Sequence, residues 1–392
     1  MLRVKWQYLL LALAAVAATA SLAATASARS AASPIKVGII YSKTGLLAAY
    51  GAEYVEGLKF GLQYATNGTG RVNGRPVQFT FVDDAGDPAK AVSAGKDLIG
   101  QGYKILAGST GSGVALQMAP LAAQNQVLFI SGPAASDAIT GQNQYTFRSG
   151  RQTFQDVSTA NSFLNGQQGK NITVFAQDSA FGNGNYLAVN AVLGGLGHHV
   201  TKLLVPLSAN DFTPFAQQVK QANPDLLFVA WAGTTATAMW TALEQQGAFS
   251  GSTKIVTGLA ERATWQGLGA AATKIQFLSH YVYTAPKSKV NDWLVAQMKK
   301  RNQVPDIFTP DGFTAAQMIV HALQTSPDDV GKMISGLEGW SFLGVKGYEY
   351  VRPHDHALLQ PMFAVKLVQK GGKLVPVLLK RLSATDTAPP QK

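Results

Sequence analysis

Residues suited to holding a small molecule gather at a few short turns. Ser42-Lys43-Thr44-Gly45, Gly111-Ser112-Gly113 and Ser131-Gly132-Pro133-Ala134-Ala135-Ser136 combine hydroxyls, small side chains and glycine. Glycine lets a backbone approach a ligand, and free amides at a helix start attract a carboxylate. Later in the chain, Asp178-Ser179-Ala180-Phe181-Gly182, Trp231-Ala232-Gly233-Thr234-Thr235 and Gly258-Leu259-Ala260-Glu261 add a ring or an acid to similar turns. Each turn alone reads as an ordinary helix cap. Together they suit a binding cleft, with Tyr50 facing Phe181 and Trp231 across it.

Signatures of catalysis are missing. The sequence has no G-x-x-x-x-G-K-[ST], no G-x-S-x-G and no H-E-x-x-H. Gly108 to Gly113 reads G-x-x-G-x-G, which is not the dinucleotide fingerprint. His354-Asp355-His356 has no cysteine and few acids nearby, and reads as a solvated loop rather than a metal site. Cysteine is absent from all 392 residues, so thiolate catalysis and Cys-ligated metals are excluded. We therefore expect no catalytic residue, no metal and no cofactor, and read the chain as a non-enzyme. The formal net charge is +11, but the basic residues are scattered apart from Lys299-Lys300-Arg301, with no basic-aromatic pattern for nucleic acid. A positive field favours an anionic solute or an anionic membrane surface.

The elements that must position these turns alternate. Ile35–Tyr41 is a continuous apolar run of strand length, and Tyr50–Ala65 follows with helical spacing. Strand and helix periods then alternate through Val77–Val82, Pro88–Ile99, Ile105–Gly108, Val114–Ala123 and Val127–Ile130. The pattern restarts at Gln155–Leu164 and runs to a strand at Lys254–Val256. Such alternation predicts two α/β lobes, each a doubly wound parallel sheet covered by helices on both faces. Near His280–Thr284 the pattern breaks; two helices follow, and Met362–Val368 and Leu374–Leu379 flank Lys370-Gly371-Gly372 as a β-hairpin. The 14% of charged residues against 46% apolar ones supplies ample core. At the other end, Arg3 and Lys5, an apolar stretch from Tyr8 to Ala24, and Ala26-Ser27-Ala28 have the order of a secretory signal peptide cleaved after Ala28.

Several of these segments resemble one family. Ile35-Lys36-Val37-Gly38, Thr44-Gly45 and Tyr50-Gly51 with Gly57 resemble the start of the type I periplasmic-binding fold. The match is closest to the leucine/isoleucine/valine-type (branched-chain amino acid) substrate-binding proteins of ABC transporters. Asp83-Asp84-Ala85-Gly86-Asp87-Pro88 with Ala89 and Ala91 is similar to that family's D-x-x-x-D-P-x-x-A segment. Ile130 to Ser136 with Ile139-Thr140, and Tyr145-Thr146-Phe147-Arg148, resemble its approach to the second lobe. Phe181-Gly182 stands where the family usually has Tyr-Gly, and Asp211-Phe212 followed by Asp225 matches the next βα unit. The resemblance runs from about Ile35 to Val368.

It implies two lobes joined by three crossovers: residues 34–152 and 285–340 in the first, 153–284 and 341–382 in the second; the polar, Pro-containing tail from 383 to 392 reads as disordered. It also implies an extracytoplasmic receptor that closes on a small organic solute and delivers it to the membrane permease subunits of an ABC transporter. The chain is then a monomer of the periplasm or exterior, with its signal peptide removed and no lipid anchor. The turns and the resemblance together give the expected ligand-binding set as Tyr50, Ser112, Gly113, Ala134, Ala135, Ser136, Phe181, Trp231, Gly233 and Glu261. Ala135 replaces the threonine usual in amino-acid binders, and Glu261 is the nearest candidate for the acid that pairs with a ligand ammonium. An amino acid, an aromatic carboxylate and an amide all remain open, as does a signalling rather than a transport role.

Overall fold

The computed structural model describes residues 33–249, 253–259 and 261–392; the expected signal peptide lies outside them. Ile35–Tyr41 (IKVGIIY) is buried at every position but Lys36, as a strand covered on both faces must be. It lies near the middle of a six-stranded sheet whose spatial order is Arg71–Val72, Arg75–Asp83, Ile35–Tyr41, Ile105–Gly108, Leu128–Ser131 and Thr146–Arg148. The first pair is an antiparallel hairpin and every other pairing is parallel. Side-chain caps start the crossover helices: Asp87 accepts from the amides of Ala89 and Lys90 ahead of Pro88–Gly100, and Ser179 accepts from Gly182 ahead of Ala180–Val192.

The second sheet has seven strands in the order Lys373–Leu382, Met362–Lys370, Gln276–Phe277, Lys254–Thr257, Leu226–Ala230, Asn171–Gln177 and His199–Val205. Its last five strands are parallel, and the final hairpin of the chain joins it antiparallel. Gly371 and Gly372 both have positive φ at the tip of that hairpin, 56° and 72°. Two doubly wound lobes therefore stand side by side, with the chain passing between them at 149–152, 278–288 and 360–361.

The helices Lys289–Lys299, Thr309–Thr325 and Val330–Leu337 return to the first lobe, where Ile319, Leu323, Met333 and Leu337 share a core with Ile35, Val37, Ile39 and Leu128. Residues 341–359, expected with the second lobe, pack with the first. They form a separate antiparallel sheet, and its Phe342, Val351 and Leu358 are buried in that same core. Their apolar side chains complete a surface that the six-stranded sheet and its helices leave uncovered. The tail expected to be disordered is tied down: Arg352 donates to the Pro389 and Pro390 carbonyls, and Lys392 Nζ donates to the Thr140 carbonyl at 3.0 Å.

The returning helix Thr309–Thr325 crosses Ala48–Ala65 at very close range because glycines face each other there. A Cβ on Gly57 would sit 1.9 Å from the Thr309 carbonyl oxygen, and one on Gly312 would sit 1.9 Å from that of Tyr54. Backbone cannot step aside as a side-chain tip can, so a single methyl must push the helices apart. Gly57→Ala and Gly312→Ala should each lower the urea midpoint, with a loss of roughly 1–3 kcal/mol. An unchanged midpoint would show that this crossing has slack.

Candidate functional site

The parallel strands of each lobe end on the same side, and the two ends face each other. The turns after Ile35–Tyr41, Ile105–Gly108 and Leu128–Ser131 meet those after Asn171–Gln177, Leu226–Ala230 and Lys254–Thr257. Between them lies a cavity of about 40 Å³. Its first-lobe wall includes Leu47, Tyr50, Ser112, Pro133 and Ala135; Phe181, Ala232 and Leu259 come from the second. Phe308, just ahead of the returning helix, and Arg151, in the first passage between lobes, complete the lining. That volume holds a few waters, far less than a pocket for a small organic molecule. A solute must therefore part the lobes to enter.

The lobes touch directly across the cavity. Tyr50 Oη donates to Glu261 Oε1 at 2.9 Å and accepts from the Gly233 amide at 3.1 Å. The Thr234 amide donates to the Leu46 carbonyl at 3.2 Å, and the Arg262 amide donates to Asp306 Oδ2 at 3.0 Å. Phe308 packs on Tyr50 with ring centroids 4.7 Å apart. Glu261 also accepts from Thr264 Oγ1 at 2.6 Å, while its Oε2 is buried without a partner among the described residues. Burial raises its carboxyl to about 7, against the hydroxyl donors that hold the charged form.

Arg151 is the strongest charge in the lining and is 1% exposed. Its Nε donates to Asp156 Oδ2 at 3.1 Å and its Nη1 to the Pro133 carbonyl at 3.0 Å. Its Nη2 is buried with no hydrogen-bond partner among the described residues. The guanidinium lies 5.7 Å from the centre of the Phe308 ring. Burial lifts the Asp156 carboxyl to about 6 in spite of the adjacent guanidinium. Arg148 buttresses this passage by donating to the carbonyls of Ser136 at 2.7 Å and Arg151 at 3.1 Å.

The structure brings Tyr50, Ser112, Ala135 and Phe181 to the cavity wall, and Glu261 and Gly233 to Tyr50 behind it. Ser112 Oγ accepts from the Ser136 amide at 3.2 Å, so that amide is spent within the first lobe. The Ser112 hydroxyl keeps its own proton to donate.

Four expected contacts lie elsewhere. Trp231 is in the core of the second lobe, with ring centroids 5.5 Å from Phe175 and 5.1 Å from Phe212, and its Nε1 donates to Thr235. Phe175 and Phe212 hold the large ring in the core, where burial favours it. Ala134 is packed with Ala115 and Ile139, Gly113 rests against Pro88 and Ala180, and Ser136 faces a different groove. Arg151 and Phe308 were not foreseen. Arg151 follows Gly150 in a passage with no periodic pattern, and Phe308 is distant in sequence from every turn it joins. Around His354-Asp355-His356, His356 contacts the Thr146 carbonyl and Glu338 through its two ring nitrogens, each at 3.0 Å, and Asp355 pairs with Arg352. No group of residues that could hold a metal is found among the described residues.

The raised carboxyls have a consequence for stability. Glu261 loses its proton near 4.5 as an ordinary glutamate in the unfolded chain, and near 7 when folded. Between those values the folded state binds the extra proton, so its stability falls as pH rises through that window. Asp156 and Glu349, raised to about 6 and about 7 by burial, act in the same direction. His280, which burial lowers well below its ordinary value, acts in the opposite direction. The expected outcome is therefore a difference between proteins: from pH 5 to pH 7 the melting temperature of Glu261→Gln should rise relative to that of the wild type. A slope unchanged by the substitution would mean that Glu261 titrates normally in the folded protein.

Comparison with known proteins agrees with this architecture. The sequence profile of the family described as periplasmic binding protein matches residues 34–373. A Leu/Ile/Val-binding protein homologue of Brucella melitensis is 26% identical over 318 residues, spanning 79% of this chain and 84% of the relative. The crystal structure of an ABC-type branched-chain amino acid transporter protein from Rhodopseudomonas palustris is 32% identical, with a TM-score of 0.74 over 90% of this chain and 97% of that one. A second Rhodopseudomonas palustris protein, solved in complex with p-hydroxybenzoic acid, shares the fold with a TM-score of 0.82 at 23% identity over 90% of this chain and 97% of that one. The chain belongs to the periplasmic binding protein family and is a solute-binding receptor of the ABC-importer type.

Proposed function

We propose that the solute is a small organic carboxylate with a flat apolar body, and that Arg151 receives its carboxylate. The observation that carries this reading is that Arg151 lines the cavity while its buried Nη2 has no hydrogen-bond partner among the described residues. A buried donor left unpaired is costly, and a carboxylate is its natural complement. The Ser112 hydroxyl, at the start of the helix Ser112–Asn125, adds a second donor from the first lobe. Leu47, Tyr50, Phe181, Leu259 and Phe308 supply apolar and aromatic walls for the body. p-Hydroxybenzoic acid, carried by the Rhodopseudomonas relative, has this chemistry.

Glu261 supports a second reading. Its buried, unpartnered Oε2 lies on the second lobe and suits a donor at the far end of the solute, either a hydroxyl or the ammonium of an amino acid. In both readings the solute docks on the first lobe, the lobes close by bending at the three passages, and water is excluded. The receptor then acts as a monomer outside the cytoplasm, freed of its leader after Ala28 and without a lipid anchor. It hands the solute to permease subunits rather than signalling or catalysing a reaction.

Calorimetry with p-hydroxybenzoate, benzoate, leucine and phenylalanine separates the readings. An aromatic acid should bind more tightly than leucine, and at 100 times its dissociation constant it should stabilise the fold by about 2.7 kcal/mol. Arg151→Gln should weaken the acid by roughly 1.5–3 kcal/mol, and Arg151→Lys, which keeps the charge, should recover part of that loss. Leucine binding alone, or acids binding equally to wild type and Arg151→Gln, would overturn the assignment.

A further inference from the structure

We infer that the outward face of the hairpin formed by Met362–Lys370 and Lys373–Leu382 is a docking surface for an anionic lipid membrane. Lys373–Leu382 is the outermost strand at one edge of the second lobe's sheet. In its register Lys366 stands opposite Val377, Val368 opposite Val375, and Lys370 opposite Lys373. Alternate side chains share a face, so these six stand together on one side. Leu367 and Leu374 take the other side and pack on the lobe core. Val375 and Val377 are 36% and 37% exposed, and Leu378 and Leu379, at the irregularity beside Ala364 and Val365, are 42% and 46% exposed.

The charge on this hairpin has one sign. Between 362 and 382 there are five cations, Lys366, Lys370, Lys373, Lys380 and Arg381, and no acid. Lys366, Lys370 and Lys373 form no ion pair among the described residues. Like charges directly opposite, as Lys370 and Lys373 are, weaken a hairpin, so folding does not call for them. Lysine on an edge strand also discourages strand pairing between molecules. That duty needs charge only on the outer strand, whereas Lys366 and Lys370 lie on the inner one. Cations surrounding exposed aliphatic side chains match an anionic bilayer: ammonium groups meet lipid phosphates, and the valines and leucines enter the headgroup boundary. Each lysine near such a surface contributes about fivefold in partition. Such contact would hold the receptor beside the bilayer by the edge of its second lobe, leaving the cleft free.

The test is sedimentation of the full chain with vesicles of phosphatidylglycerol and phosphatidylcholine, against phosphatidylcholine alone, at low and high salt. Binding to the anionic vesicles only, lost at high salt, is expected. The double variant Lys370→Glu/Lys373→Glu should lower partition more than tenfold with an unchanged melting temperature. Lys299→Glu/Lys300→Glu, which makes the same change in net charge elsewhere, should lower it far less. No binding to anionic vesicles, equal binding to both vesicle types, or equal losses in the two double variants would overturn the inference. So would a salt-stable dimer that the Lys370→Glu/Lys373→Glu change dissociates, because the face would then belong to a second copy of the chain.

Discussion

A guanidinium removed from water must recover its hydration from the protein, and Arg151 recovers only part of it. Asp156 and the Pro133 carbonyl take two of its nitrogens, and the third has no hydrogen-bond partner among the described residues. The cost of burying a charge is large, and a single partner rarely cancels it. The raised Asp156 carboxyl reports the same deficit from the other side of the pair. Because Arg151 sits in a passage between the lobes and also lines the cavity, both hinge and cleft share this incomplete compensation. An anion in the cleft would complete it, which couples solute binding to the strand of chain about which the lobes bend.

The contacts across the cavity set what a solute must replace. Tyr50 joins Glu261 and the Gly233 amide, and Leu46 accepts from Thr234, so the lobes meet each other directly. These bonds exchange with water when the cleft opens, and each is worth only about 0.5–1.5 kcal/mol net. A latch of that strength closes the receptor without locking it. A solute that reaches Arg151 gains a charge-assisted bond, which is stronger than a neutral one. Burial keeps Glu261 partly protonated near neutral pH, so the second lobe can accept a hydroxyl without presenting a full bare charge.

Much of this architecture was legible in the sequence. Continuous apolar runs such as Ile35–Tyr41 and Ile105–Gly108 coincide with buried parallel strands, because a doubly covered strand leaves no polar alternation to misread. The small strands at 341–359 were not legible, since their pairing is set by the first-lobe core they cover and not by local pattern. Loops at strand ends lie along the facing edges of the two sheets, and Tyr50, Ser112, Ala135 and Phe181 reach the cavity from there. Trp231 shows the limit of that reasoning. Position after a strand does not fix which way a ring turns, and its neighbours Phe175 and Phe212 draw it into the core. Arg151 and Phe308 carry no local sequence signal, because only the folded chain brings a crossover residue and a residue ahead of the returning helix together.

Whether Arg151 receives a carboxylate is tested by varying the charge of the solute at constant shape. Calorimetric titration of the purified receptor with p-hydroxybenzoate and with p-hydroxybenzamide compares two molecules of nearly the same size, of which only one is an anion. The account predicts that the acid binds at least about tenfold more tightly, the lower end of what a hydrogen bond to a charged group contributes, and that the gap narrows in Arg151→Gln. Equal affinities for acid and amide in the wild-type protein would contradict it.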